Sequence, residues 1–153
     1  MTEKTFKKNE VIFREGDVET CMYEIVTGKV GVYADYHTEN EKLLTTLGYD
    51  KLFGEMGVIE GKPRSATVAA LEETCVRVIT ADEFETYLQK SPTKILYLMQ
   101  ATSARMRALS EEYLEACRTV DEYVTLDEKG EKIPAELLEK MKRFAGNGRR
   151  KRK

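Results

Sequence analysis

The sequence predicts a mainly β chain with C-terminal helices: an antiparallel β-roll, or jelly-roll-like barrel, followed by a long dimerisation helix. Three observations predict it. Between Glu10 and Thr80 short apolar runs are divided by turn residues; after Thr80 the apolar spacing lengthens to every third or fourth residue; and from Ile95 to Tyr123 that spacing continues unbroken. The expected organisation is a β-roll with a short helix over 1–92, a long helix over 93–124, and a loop, short amphipathic helix and basic tail over 125–153.

The strands come first. In Lys29 to Asp35, Val30, Val32 and Ala34 alternate with Gly31, Tyr33 and Asp35, the period of a half-buried strand. Met22 to Val26, Lys42 to Leu47, Thr67 to Leu71 and Cys75 to Ile79 are similar runs. Their separators are turn-like, among them Glu15-Gly16-Asp17, Thr27-Gly28, Gly48-Tyr49-Asp50 and Glu72-Glu73-Thr74. Ala81 to Lys90 then reads as a short helix, with Asp82 favouring the dipole in its first turn and Phe84, Tyr87 and Leu88 on one side.

Ser91-Pro92 ends that helix, and Thr93 is placed to cap the next, expected to reach about Tyr123. Its stripe runs Ile95, Met99, Thr102, Met106, Leu109, Tyr113, Ala116, Val120, Tyr123, in alternating steps of four and three, the seam of a coiled coil. A helix of about 30 residues is some 45 Å long, more than one face of a small domain can cover. The seam therefore predicts a parallel homodimer through residues 95–123. Thr125 to Lys132 is polar and contains Gly130, hence an expected loop. Pro134 then starts a helix with Leu137, Leu138, Met141 and Phe144 on one face, and Asn147-Gly148 breaks it before the basic run Arg149 to Lys153.

A chain of 153 residues, 41% hydrophobic and 34% charged, suits one ordinary globular domain with an extension, and no apolar run is long enough for a membrane span. Met1-Thr2-Glu3-Lys4 lacks the apolar core of a signal peptide. Cys21, Cys75 and Cys117 are scattered, odd in number and without a Cys-x-x-Cys, which predicts free thiols in a cytoplasmic protein. Net charge is −2, but residues 140–153 hold eight basic side chains and no acidic one, so the remainder carries −2 less 8, or −10. Such a body argues against nucleic acid contact except weakly through the basic tail.

One stretch carries chemistry: Phe53-Gly54-Glu55-Met56-Gly57-Val58-Ile59, then Glu60-Gly61-Lys62-Pro63, then Arg64-Ser65-Ala66-Thr67. Gly54 and Gly57 let a backbone approach a ligand closely. A short helix from Glu55 to Ile59 would present unpaired first-turn amides to an anion. Gly61 and Pro63 turn the chain sharply back to Arg64, whose guanidinium binds two phosphate oxygens in one plane. Glu55 repels phosphate, so it is expected to accept from a nearby hydroxyl such as that of a ribose. Arg64 paired with Glu55 across an ordinary surface loop is the plain alternative. A P-loop is excluded, because Gly61-Lys62 is followed by proline.

Phe53-Gly54-Glu55-Met56 and Pro63-Arg64-Ser65-Ala66-Thr67 resemble the phosphate-binding cassette of the cyclic nucleotide-binding domain family, of the catabolite activator and cAMP-dependent protein kinase regulatory type. Phe6 to Asp17 and Tyr23 to Val32 are similar to that family's first strands, so the resemblance covers roughly the first 120 residues. It implies ligand-binding roles for Phe53, Gly54, Glu55, Met56, Arg64, Ser65 and Ala66: Glu55 on the ribose 2′-hydroxyl, Arg64 on the cyclic phosphate, and backbone amides completing the cradle. It also implies a base-capping side chain on the long helix, for which Tyr113 is the candidate, with Leu114 and Cys117 next. Ser65 resembles the catabolite activator at that position, which favours cAMP and leaves cGMP open.

The chemistry of turnover is absent from the text. His37 is the only histidine, which excludes a cupin-type metal centre and a His-based triad. The expectation is a cyclic nucleotide-binding sensor without catalytic residues, metal or cofactor, signalling through the long-helix dimer. Only 29 residues follow position 124, with one helix, so the helix-turn-helix that the catabolite activator type would carry is not expected. The alternatives are a ligand-free scaffold of the same fold, or a DNA-associated regulator acting through a partner or the basic tail.

Overall fold

The structure is a computed structural model that describes residues 1–148. It divides into two units, Met1–Leu96 and a second beginning at Tyr97. The basic run from Arg149 to Lys153 lies outside the described residues.

Eight strands build the first unit: β1 (Thr2–Phe6), β2 (Val11–Phe13), β3 (Cys21–Thr27), β4 (Val30–Ala34), β5 (Lys42–Leu47), β6 (Leu52–Phe53), β7 (Thr67–Ala70) and β8 (Thr74–Thr80). They form two four-stranded antiparallel sheets, ordered β1-β8-β3-β6 and β2-β7-β4-β5. The β-roll is thus two sheets rather than a closed barrel. At the end of β6, two residues long, Gly54 takes the left-handed region and the chain leaves the sheet.

What holds the sheets together is a core drawn from both. Phe13 of β2, Val30 of β4 and Val68 of β7 pack with Tyr23 and Ile25 of β3, Phe53 of β6, and Val76 and Val78 of β8. The rings of Phe13, Tyr23 and Phe53 meet pairwise with centroids 5.1 to 5.9 Å apart. Such contacts add about 0.5–1.5 kcal/mol per pair beyond the area they bury. Gly28, at φ +88, turns β3 into β4, and a Cβ there would meet the Glu73 carbonyl at 2.5 Å.

The helices follow α1 (Glu55–Glu60): α2 (Ala81–Lys90), α3 (Pro92–Glu128) and α4 (Ala135–Gly148). Glu83 accepts from the Thr80 amide (3.1 Å) and caps the start of α2. Pro92 is the first helical residue of α3, where its missing N–H costs nothing, so Thr93 lies inside the helix instead of capping it. The helix also outruns its expected end near Tyr123. Thr125 returns its hydroxyl to the Asp121 carbonyl, and the helix stops only before Gly130 at φ +66, whose amide donates to Asp127.

One charged cluster ties α2 and the start of α3 to the β-roll within this unit. The Glu24 carboxylate, 9% exposed, accepts from Arg77 of β8 (2.6 Å) and from the Tyr87 hydroxyl of α2 (3.0 Å), and lies 3.1 Å from Lys94 Nζ of α3. Lys94 also reaches the carboxylate and carbonyl of Asp50. Burial, then the neighbouring Glu24 charge, pushes the Tyr87 hydroxyl well above its ordinary pKa.

In the second unit α4 returns to α3: Arg143 donates to Glu115 (2.9 Å), and Leu137 is buried at 3%. Most of the seam faces outward, with Met99, Met106, Leu109, Tyr113 and Val120 between 51% and 68% exposed. No helix among the described residues is long and apolar enough to cross a membrane.

Candidate functional site

The cassette begins where β6 pairs with β3, Phe53 opposite Tyr23. Gly54 follows at φ +77 and enters α1; Gly61, at φ +62, ends it. Both glycines stand where an ordinary residue would be strained. Glu55, in the first turn of α1, is 6% exposed, whereas Met56 is 40% exposed. At six residues α1 is too short for an appreciable macrodipole, so any anion affinity here comes from individual amides and Arg64.

On the return strand the backbone of Arg64 is pinned by the turn between β2 and β3. Its amide donates to Asp17 O (2.9 Å) and its carbonyl accepts from Gly16 N (2.9 Å). The turn is itself closed by Arg14 N donating to the Asp17 carboxylate (2.8 Å). The Glu15 amide donates to the Thr67 hydroxyl, which fixes the exit of the cassette into β7. The Gly16-Asp17 signal thus acts as a clamp on the cassette arginine, a part beyond that of a strand separator.

The guanidinium of Arg64 lies inside the wall, its side chain 2% exposed. Nη1 donates to Gly54 O (2.6 Å), while Nη2 donates to Cys21 O (2.6 Å) and to Glu19 Oε2 (3.2 Å). The carbon of the guanidinium sits 4.2 Å above the Phe13 ring, a cation–π contact in a low-dielectric place. Nε is buried and, among the described residues, has no hydrogen-bond partner. A Cβ on Gly54 would come within 2.7 Å of Nη1, and one on Gly57 within 3.0 Å. The two glycines do open space, as the sequence suggests, but the arginine occupies it.

Phe53, Gly54, Glu55, Met56, Arg64, Ser65 and Ala66 all lie along the β6–α1–β7 path, and the bond that joins its two ends is Arg64 Nη1 to Gly54 O. Of these Phe53, Glu55, Arg64 and Ala66 are buried and Ser65 is exposed. Tyr113 stands on α3 in the second unit, 68% exposed, its hydroxyl pKa raised by a hydrogen bond with Cys117. Sequence reasoning missed four participants: Phe13 and Tyr23, which form the floor under the guanidinium, and Glu19 and Cys21, which accept from it. Tyr23 also donates to Glu19 (3.2 Å), and burial first, then Cys21 and Glu19, drives its hydroxyl pKa far upward. Two small cavities lie elsewhere: ≈ 150 Å³ beside Glu122, Pro134 and Leu137, and ≈ 120 Å³ beside Glu24, Asp50 and Arg77.

In class the chain is a two-sheet β-roll that carries a glycine-bounded Glu/Arg loop. Residues 3–91 match the cyclic nucleotide-binding domain, and the chain belongs to that family. It is 26% identical over 104 residues to the cyclic AMP receptor protein of Thermus thermophilus, an alignment covering 68% of this chain and 48% of that protein. The chain spans about half the length, or less, of the curated relatives it matches. Among solved structures, the cAMP-bound form of the EAL enzyme Bd1971 is 28% identical, with TM-score 0.54 over 81% of this chain and 33% of that one. The catabolite activator protein of Thermus thermophilus has TM-score 0.65 over 84% of this chain and 63% of that one; at 24% identity it supports the fold alone.

Proposed function

We propose that this chain is a cyclic nucleotide sensor that takes cAMP, with cGMP as the competing ligand, at the loop from Phe53 to Ala66. One observation carries the reading: Glu55 and Arg64, which bring a ribose acceptor and a phosphate donor, stand in one glycine-bounded loop of a cyclic nucleotide-binding domain. Arg64 would hold the cyclic phosphate and Glu55 the ribose 2′-hydroxyl, with Phe53, Gly54, Met56, Ser65 and Ala66 shaping the cradle. Tyr113 is the candidate base contact, tested by Tyr113→Ala. No step of this reading requires turnover. The exposed α3 seam is the proposed route of signalling, through a second copy of the chain, and the free thiols fit a cytoplasmic setting.

Titration calorimetry with cAMP, cGMP and 5′-AMP tests the reading directly. Micromolar or tighter binding of a cyclic nucleotide, with 5′-AMP much weaker, is expected. Binding that survives Arg64→Lys unchanged would place the phosphate elsewhere, since lysine cannot reproduce the planar fork. A specific observation favours a second reading, a scaffold of the same fold that binds no nucleotide: the Arg64 guanidinium is already bonded to four protein acceptors, Gly54 O, Cys21 O, Glu19 Oε2 and, more weakly, Cys21 Sγ. The same titration, silent for all three nucleotides, would select it. A DNA-associated role through the tail predicts a salt-sensitive, sequence-blind gel shift that is lost on deleting residues 146–153.

A further inference from the structure

We propose that Glu19 is a built-in competitor for the anion that Arg64 binds, and so sets ligand affinity at the cassette; this rests on the cyclic nucleotide reading above. A guanidinium has five N–H donors. Of the four acceptors on Arg64, the Cys21 sulfur is weak and distant at 3.7 Å, and two are backbone carbonyls, Gly54 at the entry to α1 and Cys21 at the start of β3, at 2.6 Å each. Neither can leave without rebuilding an element. The last is the Glu19 carboxylate, at 3.2 Å and 40% exposed. It is a side chain that can rotate away, and among the described residues it is the one charged acceptor.

The bond it makes is single, and it leaves Nε of the same guanidinium buried without a partner. A phosphodiester seated along the Nε–Nη2 edge would make two parallel bonds where Glu19 makes one, with the same negative charge. Two anions cannot share that edge without repulsion, so the ligand enters as Glu19 leaves. Among the described residues Glu19 otherwise accepts from the Tyr23 hydroxyl (3.2 Å) and, weakly, the Cys21 thiol (3.9 Å), bonds that water can replace. Nothing in the loop from Phe53 to Thr67 specifies this residue, which lies 45 positions from Arg64.

Calorimetry and stopped-flow association with cAMP, on the full chain and on Glu19→Gln and Glu19→Asp, test the proposal, with circular dichroism confirming the fold of each. Glu19→Gln keeps the shape and removes the charge. It is expected to bind about threefold to fivefold more tightly, chiefly through faster association, the size of a partly exposed ion pair removed as competitor. Glu19→Asp, shorter by one methylene, should fall between it and the parent. An unchanged or weaker dissociation constant in Glu19→Gln overturns the proposal while leaving the nucleotide reading intact. Binding by Glu19→Gln alone, with the parent silent, supports it in its strongest form. Silence of the parent and both variants overturns the nucleotide reading and the proposal with it.

Discussion

Lys94, in the first turn of α3, sits 3.1 Å from the carboxylate of Glu24 in the middle of β3. The preceding residue on that strand, Tyr23, lies in the core on the opposite face, its ring stacked 5.1 Å from that of Phe53 at the mouth of the cassette. One strand therefore touches the candidate ligand site with one residue and grips the root of the long helix with the next.

Lys94→Met should cost about 2 kcal/mol, the scale of hydrogen bonds to a charged group, since Glu24 keeps Arg77 and Tyr87 as partners. Denaturant unfolding measures the loss. Hydrogen exchange should show faster opening of amides in residues 93–96 while those of β3 and β8 stay protected. Uniform loosening of the whole unit would contradict a local role for the Lys94–Glu24 contact.

The same contact has a pH signature. Burial alone would lower the pKa of Lys94, but bonds to Asp50 and Glu24 outweigh it and hold it above the ordinary 10.5. A pKa raised in the folded state gives stability that is fully present below the unfolded value and is lost as pH rises through the folded one. The difference in unfolding free energy between parent and Lys94→Met should stay constant from neutral pH to about pH 10 and shrink above it. A difference that grows with alkalinity would reverse the sign and refute the assignment.

Gly54→Ala should be costly for two reasons: φ is +77, and the new Cβ would fall 2.7 Å from Arg64 Nη1. About 2 kcal/mol of stability is expected to go with the strain. Cyclic nucleotide affinity should fall with it, because the guanidinium must move. Gly130→Ala is the control, at φ +66 with nothing within 4 Å of the added carbon; it should lose stability without losing affinity.

For the α3 seam, Met106→Lys with Leu109→Lys replaces two side chains that are 65% and 66% exposed in the single chain. Sedimentation should show the parent as a dimer and the double variant as a monomer, with thermal stability of the β-roll unchanged. A parent that stays monomeric at all concentrations would remove the dimer from the functional reading.

Much of the fold was legible because the residues carry their own period. Lys42 to Leu47 and Ala81 to Lys90 are observed with the expected limits. β1 was not legible: Thr-Glu-Lys-Thr-Phe has almost nothing to bury and exists as a strand through its pairing with β8. β6, two residues long, offers no period at all. The cassette was visible as a pattern of glycine, acid and arginine, whereas the inward seat of the guanidinium was not. Its acceptors at Gly54 and Cys21 are main-chain carbonyls, which every residue possesses, and Glu19 is one of 27 acidic residues with no spacing to mark it. The Glu24–Lys94 pair is hidden in the same way, since neither position belongs to any local motif.

The shared Glu24 carboxylate also bears on how the chain assembles. Its partners Arg77 and Tyr87 lie 53 and 63 positions downstream, and Lys94 further still, so the cluster closes only long loops and cannot exist before β3, β8, α2 and the start of α3 have come together. A contact absent from the folding transition state leaves the refolding rate nearly untouched and acts instead as a brake on the exit from the native state. Glu24→Gln is accordingly expected to speed unfolding far more than it slows refolding, as read from the two arms of a denaturant chevron.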